Sequence, residues 1–336
     1  MTEPKKWALV WAGPIAAEEL DELFPNMSER YPRTLENLLM DDPDSFEQVN
    51  SREFRYLLDR DYIEVIHDAE YIDQVEEEYE CHGAWEGENP ALATLAGISF
   101  DSTMIAAALV ANGTFDFAYS LASGQHHAKR AQGGGFCTYN DVAGAAMLFR
   151  DRGLKPLIID IDIHAGDGTQ SILWDTDTPT ISVHAGSIFP RDPLTHDTAQ
   201  AGKRHAFHWP ENHAYNFALE DHAQDDALEW AMNEVDPIVR RYAPDVIIFV
   251  CGADGHVGTP QNMIPTASTA FTYSGFDAAA RRVREWAEEF CAGRILMTGA
   301  GGYQPLDHTP RIWANTAMRL AGIRHAQHTG GKENVE

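Results

Sequence analysis

The fold is decided by the stretch Pro156-Leu-Ile-Ile-Asp-Ile-Asp-Ile-His-Ala-Gly-Asp-Gly168. It starts as a continuous apolar run, which is typical of a strand buried on both faces of a parallel sheet. It ends in Asp160, Asp162 and His164, three polar side chains at alternating positions. Since residues i, i+2 and i+4 of an extended strand point to one face, these side chains are predicted to line up.

Similar runs recur along the chain and alternate with amphipathic stretches. Strands are predicted over residues 7–12, 115–121, 157–163, 180–184, 246–251 and 295–299. Helices are predicted over residues 32–40, 69–79, 100–112, 142–152, 220–242, 275–292 and 311–321. Strands separated by helices imply crossover connections, so we expect a single α/β domain with a central, mostly parallel sheet and helices on both faces. The domain is predicted over residues 1–324, followed by a polar, frayed tail over 325–336.

Composition narrows the class of protein. Of 336 residues, 44% are hydrophobic and 23% are charged, which excludes wholesale disorder. No apolar run approaches the ~18 residues of a membrane span, and the N-terminus does not resemble a secretory signal. The four cysteines, at positions 81, 137, 251 and 291, form no Cys-x-x-Cys pair. Reduced thiols in a cytoplasmic protein are therefore expected.

The net charge is strongly negative: 25 basic and 52 acidic residues give −27. This balance argues against direct binding of nucleic acid, which requires clustered Lys and Arg. Solubility or adaptation to high salt explains the charge most simply, and attraction of a cationic substrate is the alternative.

Three further clusters follow predicted strands. His126 and His127 are adjacent, as suits a base and a supporting imidazole, although two exposed histidines would look the same. Asp254 follows an apolar run, where it could be a metal ligand or a helix cap. Gly301-Gly302 precedes Tyr303, whose phenol could donate a hydrogen bond to an oxyanion.

These clusters are predicted to converge, because ligands gather at the carboxyl ends of strands in open parallel sheets. Asp162 and His164 together suit a divalent ion with open coordination positions, and catalytic zinc keeps three protein ligands. The alternative for this stretch, an aspartate that caps the next helix, would need only one Asp. No phosphate-binding glycine motif occurs in the chain.

Along the chain, these motifs occur in the order His-His, Asp-x-Asp-x-His, Asp and Gly-Gly-Tyr. In this order they resemble the pattern of the zinc-dependent histone deacetylase superfamily. That superfamily includes the acetoin utilisation proteins and the acetylpolyamine amidohydrolases. The resemblance runs from about Arg30 to about Ala321 and implies an arginase/deacetylase-like fold. Residues 62–71 look like the superfamily's N-terminal motif, and residues 133–139 look most like its class IV branch and bacterial relatives.

The resemblance implies a role for each matching residue. Asp162, His164 and Asp254 would bind one catalytic Zn²⁺. His127 would be the general base, with Asp167 as its partner, and His126 would support it, backed by Asp160. Tyr303 would polarise the carbonyl and stabilise the oxyanion.

Two further sets of positions match the superfamily. Phe136 and Phe189 look like the aromatic walls of the acyl-lysine channel, to which Gly135 and Gln261 also belong. A structural K⁺ or Na⁺ would be held by Asp160, Asp162, His164, Ser182 and Val183.

The chain departs from the superfamily pattern in places that bear on substrate. Ala165 replaces a common second histidine, and Thr259-Pro260-Gln261 replaces a common Asp-Pro-Leu. The acidic, aromatic stretch 76–88 could hold a cationic amine or be a solvated helix end.

The expected activity is removal of acetyl or other acyl groups from lysine-type ε-amines of a peptide or protein. The first alternative is hydrolysis of acetylated polyamines. A dimanganese ureohydrolase and a catalytically silent acyl-lysine sensor are more distant ones. Neither a nucleic acid nor a membrane is expected as a partner, and a homo-oligomer is possible.

Overall fold

The computed structural model describes residues 6–12, 26–80, 89–259 and 269–323. Nine strands in this part of the chain form one sheet, in the order β2-β1-β3-β9-β8-β4-β5-β7-β6. All neighbours pair parallel except β6 and β7. The strands are β1 (Trp7–Trp11), β2 (Phe46–Asn50), β3 (Phe117–Ser120), β4 (Pro156–Asp160), β5 (Thr180–Ala185), β6 (His205–Trp209), β7 (Ala214–Leu219), β8 (Val246–Val250) and β9 (Ile295–Thr298).

Helices connect most of these strands. They are α1 (Arg30–Asp41), α2 (Ile63–Ile66), α3 (Ala69–Glu76), α4 (Pro90–Ala111), α5 (Asp141–Asp151), α6 (Asp167–Leu173), α7 (Asp225–Tyr242), α8 (Tyr273–Phe290) and α9 (His308–Leu320). The predicted single α/β domain with a mostly parallel sheet is confirmed. The bounds of the seven predicted helices shift, most at the start of α4.

The sheet is buried on both faces, as the continuous apolar runs predict. In β8, Ile247 and Phe249 join the core beneath α7, α8 and α9. The alternate residues Val246, Ile248 and Val250 join the core beneath α4 and α5. β8 therefore contributes to two cores, and the polar Asp254 follows beyond its carboxyl end.

Three strands escape prediction because they lack an aliphatic run. In β2, only Phe46 and Val49 are buried, since this strand is an edge of the sheet. The opposite edge, β6, is also partly exposed. The fully buried β7 reads Ala-Tyr-Asn-Phe-Ala-Leu, which no simple periodicity marks as a strand.

The strand through Ile159 is shorter than predicted. It ends at Asp160 rather than at Ile163. Beyond it, the Asp162 N–H donates to the Asp160 carboxylate (3.0 Å) and the His164 N–H donates to the Asp162 carboxylate (2.9 Å). These side-chain acceptors replace the strand ladder, so the expectation that all three polar residues share one strand face is wrong.

Helix α4 starts ten residues before its predicted start. Asn89 caps it by accepting a hydrogen bond from the Leu92 N–H (3.0 Å), and Pro90 occupies its first turn. By length and composition α4 could cross a membrane, but 67% of its most apolar window is buried inside the protein. It packs against α5 and β3, so it is a core helix.

Some predictions fall on residues outside the described ranges. These are the tail over 325–336, the domain boundary at 324, Gln261, Cys81 and most of the acidic stretch 76–88. They stay predictions. The other three cysteines are buried and free.

Candidate active site

The polar residues singled out in the sequence lie at one edge of the sheet. Four neighbouring strands, β3, β9, β8 and β4, run parallel at its centre. The loops after them carry His126 and His127, Tyr303, Asp254, and the pair Asp162 and His164. The sheet therefore gathers residues that are up to 177 positions apart in the sequence, 303 − 126.

Two aspartates and a histidine form a compact ligand set. One potential ligand atom from each of Asp162, His164 and Asp254 lies within 4.8 Å of the other two. His164 Nδ1 is 3.1 Å from Asp162 Oδ1 and 2.9 Å from Asp254 Oδ2. Backbone groups orient both carboxylates, since the Gly301 N–H donates to Asp162 Oδ2 (2.7 Å) and the Ile163 N–H donates to Asp254 Oδ1 (3.2 Å).

This ligand set fits a divalent cation. Asp254 Oδ2 is buried and makes no hydrogen bond of acceptable geometry despite its closeness to His164. Burial and the Asp162 charge raise the pKa of Asp254 to about 6. Burial would lower the pKa of His164, but the two carboxylates outweigh it and raise that pKa to about 10. The site therefore favours positive charge between its carboxylates, and a metal ion would supply it.

The histidine pair lies beside this set, with the two rings 4.0 Å apart. His126 Nδ1 is 2.7 Å from Asp160 Oδ2, and His127 Nδ1 is 2.7 Å from Asp167 Oδ1. Both histidines are thus buried against a carboxylate, and each contact joins the residues that the resemblance paired.

The two imidazoles differ in charge. Burial opposes protonation of His126, but the charges of Asp160 and Asp162 prevail and raise its pKa to about 9. Burial and the neighbouring charge of His126 lower the pKa of His127 to about 4. At neutral pH, His127 is therefore a neutral imidazole able to accept a proton.

Residues that the sequence analysis did not single out hold the histidine loop in place. The Asn140 side chain donates to the carbonyls of His126 (3.3 Å) and Ala128 (2.9 Å). The buried Asp141 carboxylate accepts from the N–H groups of Gly124 (2.9 Å) and Gln125 (2.6 Å). An Asn-Asp pair at the start of an amphipathic helix can be recognised in the sequence as a capping signal. Its contacts with the histidine loop cannot, because that loop is distant in the sequence.

The 62–71 motif supports the same loop. The backbone N–H of Asn140 donates to His67 Nε2 (3.0 Å), so His67 Nδ1 carries the proton and donates to the Lys129 carbonyl (3.0 Å). Tyr71 donates to the Thr138 carbonyl (2.8 Å). Only the neutral form of His67 satisfies both of its contacts.

The burial of His67 predicts a pH-dependent stability. Burial lowers its pKa from 6.5 to about 4, despite the nearby carbonyls. Since the folded-state pKa is depressed, the contribution is complete above pH 6.5 and is lost as the pH falls toward 4. Between pH 7 and pH 5, this residue alone should remove about 2 kcal/mol from the free energy of unfolding.

Denaturant unfolding of the metal-free protein and of His67→Gln checks this prediction. The stability gap between them should narrow by about 2 kcal/mol on going from pH 7 to pH 5. The exposed His222→Gln serves as the matched control. The difference between its free energy of unfolding and that of the wild type should be the same at pH 7 and pH 5. A gap that stays constant for His67→Gln would contradict the argument.

Tyr303 lines a cavity that is also lined by both histidines, Asp162 and His164. Burial and the charges of Asp254 and Asp162 raise its phenol pKa well above the usual value, so the hydroxyl stays a proton donor. Arg30, another residue not singled out in the sequence, donates to the carbonyls of Ala300 (3.4 Å) and Gly302 (3.3 Å). Arg30 therefore anchors the glycine loop that presents Tyr303.

Aromatic rings flank the approach to the site. The Phe189 ring lies 4.9 Å from the His127 ring and is 48% exposed, whereas Phe136 lines the cavity and is partly buried. Gly135 has φ +50°, and a Cβ on it would overlap the His127 imidazole and lie 3.0 Å from the Phe189 ring. Only glycine fits between the two rings.

The residues assigned to a monovalent cation lie at the end of β4, in the loop after it and on β5. Asp160 pairs with Ser182 across β4 and β5. The Ser182 hydroxyl accepts from the Gly166 N–H (3.3 Å) and contacts His184 Nδ1 (3.0 Å), while Val183 packs in the core. The ion itself stays a prediction.

Taken together, a buried cluster of two carboxylates and one histidine lies beside two histidine–carboxylate pairs at one edge of a parallel sheet, an arrangement that suits a metal-dependent hydrolase. Comparison with known families identifies the domain: the family model described as "Histone deacetylase domain" matches residues 24–320. The chain belongs to that family, and its class of activity is that of a deacetylase.

Known relatives and a solved structure agree with this assignment. The chain is 28% identical over 284 residues to the acetoin utilization protein AcuC of Bacillus subtilis, covering 80% of this chain and 70% of that one. It is 30% identical over 271 residues to AcuC of Staphylococcus aureus strain MSSA476, covering 77% and 66%. The crystal structure of the HDA15 HD domain superposes with a TM-score of 0.74 at 20% identity, covering 95% and 89%, and supports the fold.

Proposed function

We propose that this protein is a zinc-dependent amidohydrolase that removes acetyl or other acyl groups from lysine-type ε-amines. The observation that carries this proposal is the shared cavity, in which His127, the Asp162–His164 ligands and Tyr303 face one space. A base, an electrophile site and a hydrogen-bond donor in one cavity are the parts that amide hydrolysis requires.

Asp162, His164 and Asp254 would hold the zinc ion. When bound there, zinc supplies Lewis acidity toward a carbonyl oxygen and lowers the pKa of water. The neutral His127 takes the proton of the attacking water, and Asp167 fixes the imidazole with Nδ1 protonated so that Nε2 is the accepting nitrogen. His127 then returns this proton to the leaving amine, which departs as the C–N bond breaks.

Two other residues complete the proposal. Tyr303 donates its hydrogen bond to the carbonyl oxygen as negative charge develops there. His126 keeps its own proton, because Asp160 and Asp162 stabilise the imidazolium, and its charge lowers the proton affinity of His127. His126 therefore supports the reaction through its charge, and His127 transfers the proton.

Hydrolysis of small acetylated polyamines is the second candidate. The formal charge of −27 favours a cationic substrate in general, and a polyamine carries more positive charge than a lysine side chain. A dimanganese ureohydrolase has less support, since residues 6–12, 26–80, 89–259 and 269–323 contain a single ligand cluster. The negative charge also underlies our proposal of no direct contact with nucleic acid, and the unpaired spacing of the cysteines underlies that of a cytoplasmic protein.

A deacylation assay tests the function. Zinc-loaded protein is incubated with an acetyl-lysine peptide, N-acetylputrescine and N-acetylspermidine, and free amine is quantified. Turnover of the peptide supports the lysine deacylase, and turnover of the small amines alone supports the polyamine enzyme. Zinc bound at one ion per chain without turnover of any acyl amine would refute both and favour a silent sensor.

A further inference from the structure

Lys129 lies two residues after His127 and bridges two carboxylates. Its Nζ is 3.0 Å from Asp167 Oδ2, on the opposite oxygen from the one that contacts His127. The same Nζ donates to Asp192 Oδ2 (2.7 Å). The side chain of Lys129 is 27% exposed, that of Asp167 6% and that of Asp192 18%, so the three charges are largely shielded from water.

The backbone of Lys129 is fixed independently of its side chain. Its N–H donates to the Gln132 carbonyl (2.8 Å), and its own carbonyl accepts from His67 (3.0 Å). The ammonium group is therefore held out from a rigid turn. Loss of the ammonium would leave this turn intact, which separates the role of the charge from the folding of the loop.

Asp192 organises the segment on the far side of the bridge. Its carbonyl accepts from the N–H groups of Thr195 (3.0 Å) and His196 (2.8 Å), and its Oδ1 accepts from the Leu194 N–H (2.9 Å). Just before it, the Arg191 guanidinium donates to the Ser187 carbonyl (2.9 Å). Residues 187–196 therefore form a closed loop, and the ion pair between Asp192 and Lys129 is one of its contacts with the histidine side.

That loop carries Phe189, whose ring lies 4.9 Å from the ring of His127. His127 is thus contacted from two sides, by Phe189 directly and by Asp167 through its hydrogen bond. Lys129 is joined to both contacts, since one of its carboxylate partners holds the imidazole and the other starts the turn behind Phe189.

Charge supports the same arrangement. Two carboxylates this close would repel each other without a cation between them. Burial alone would raise the pKa of Asp167, but the hydrogen bond from His127 and the Lys129 charge hold it below its ordinary value. Burial likewise opposes the charge on Lys129, and its two carboxylate partners raise its pKa instead.

We propose that Lys129 is a positioning residue that clamps the His127–Asp167 pair to the loop 187–196. The inference rests on the proposed amidohydrolase function for its effect on turnover, but not for its effect on the loop. Without the ammonium, Asp167 loses one of its two partners and Asp192 loses its ion pair, while the Leu194 carbonyl keeps its hydrogen bonds from Gln170 and Trp209. Both the orientation of the base and the position of Phe189 should then relax.

Hydrogen–deuterium exchange gives a readout that does not depend on activity. In Lys129→Met, the amides of Leu194, Thr195 and His196 should exchange about 10–100-fold faster, as expected for loss of a charged hydrogen bond. Lys129→Arg should restore exchange to near the wild-type rate, because arginine can also bridge two carboxylates. The exposed Lys203→Met is the matched control.

Steady-state kinetics then separate the effect of the ion pair with Asp167 from that of the ion pair with Asp192. Asp192→Asn keeps the acceptor for the Leu194 N–H but loses the ion pair, so it should raise KM and leave kcat near the wild-type value. Lys129→Met should raise KM and also lower kcat by about tenfold, since the base loses orientation. The double variant should be no worse than Lys129→Met alone.

The outcomes decide between the two ideas. Wild-type exchange in Lys129→Met, or failure of arginine to restore it while the protein still unfolds cooperatively, would overturn the clamp. Absence of wild-type turnover would refute the proposed function alone, because exchange still reports the loop. Faster exchange with an unchanged kcat would show that Lys129 does not position the base, which also overturns the proposal.

Discussion

Asp254→Asn is expected to abolish zinc binding and with it all turnover. The substitution keeps the size of the side chain but removes the one carboxylate of the ligand set whose Oδ2 has no hydrogen-bond partner. Loss of an outer-sphere partner of a metal ligand costs about 10–100-fold in affinity, so loss of the ligand itself should cost more than about 100-fold. Zinc content should fall from about one ion per chain to a small fraction, as measured by atomic absorption after dialysis.

The stability of the metal-free protein distinguishes a ligand from a structural residue. Burial and Asp162 destabilise the charged form of Asp254, so its neutral replacement should not lower the melting temperature of the metal-free protein. Wild-type protein should gain stability when zinc is added, and Asp254→Asn should not. The exposed Asp59→Asn, 62% accessible, is the matched control. Full zinc content in Asp254→Asn would remove Asp254 from the ligand set.

Tyr303→Phe is expected to keep zinc and lose turnover. The hydroxyl is held protonated by burial and by two neighbouring carboxylates, so it can act as a donor throughout the neutral range. Removal of one oxyanion donor typically costs ~10²–10³-fold in kcat. The ring remains, so KM should change little, which is the pattern for an interaction made in the transition state.

The control for Tyr303→Phe is the same substitution at a solvent-exposed tyrosine. Tyr56 is 75% exposed, and Tyr56→Phe should retain full activity. Zinc content and melting temperature should match wild type in both variants. Activity of Tyr303→Phe within about threefold of wild type, far less than the loss of an oxyanion donor, would show that another group stabilises the oxyanion.

The central strands and the four polar loops could be predicted because their signals are local. The aliphatic runs of β4 and β8 are buried on both faces, and Asp160, the last residue of β4, already belongs to the site. The structure accordingly brings the polar residues of these four loops together at one edge of the sheet. The roles assigned to them stay predictions, which the Asp254 and Tyr303 variants test.

What sequence reasoning missed depends on distant contacts. Arg30 bonds to carbonyls 270 and 272 positions away, and no local pattern marks it. Lys129 meets an aspartate 63 positions away, although it stands beside the histidine pair. The end of β4 shows the opposite case, in which a local pattern misleads. The alternation of polar residues predicts a longer strand, but the neighbouring carboxylates accept the next backbone N–H groups and the strand stops.

The order of the strands has a consequence for the synthesis of this protein. The last strand, β9, lies between β3 and β8 in the middle of the sheet. A ribosome releases β3 and β8 before β9, so the nascent chain exposes two apolar strand edges that no earlier strand covers. Asp162 also lacks one of its hydrogen-bond donors until then, because Gly301, which orients it, follows β9. The centre of the sheet is therefore completed only after β9 is synthesised, and the demand for chaperones should be greatest just before that strand emerges.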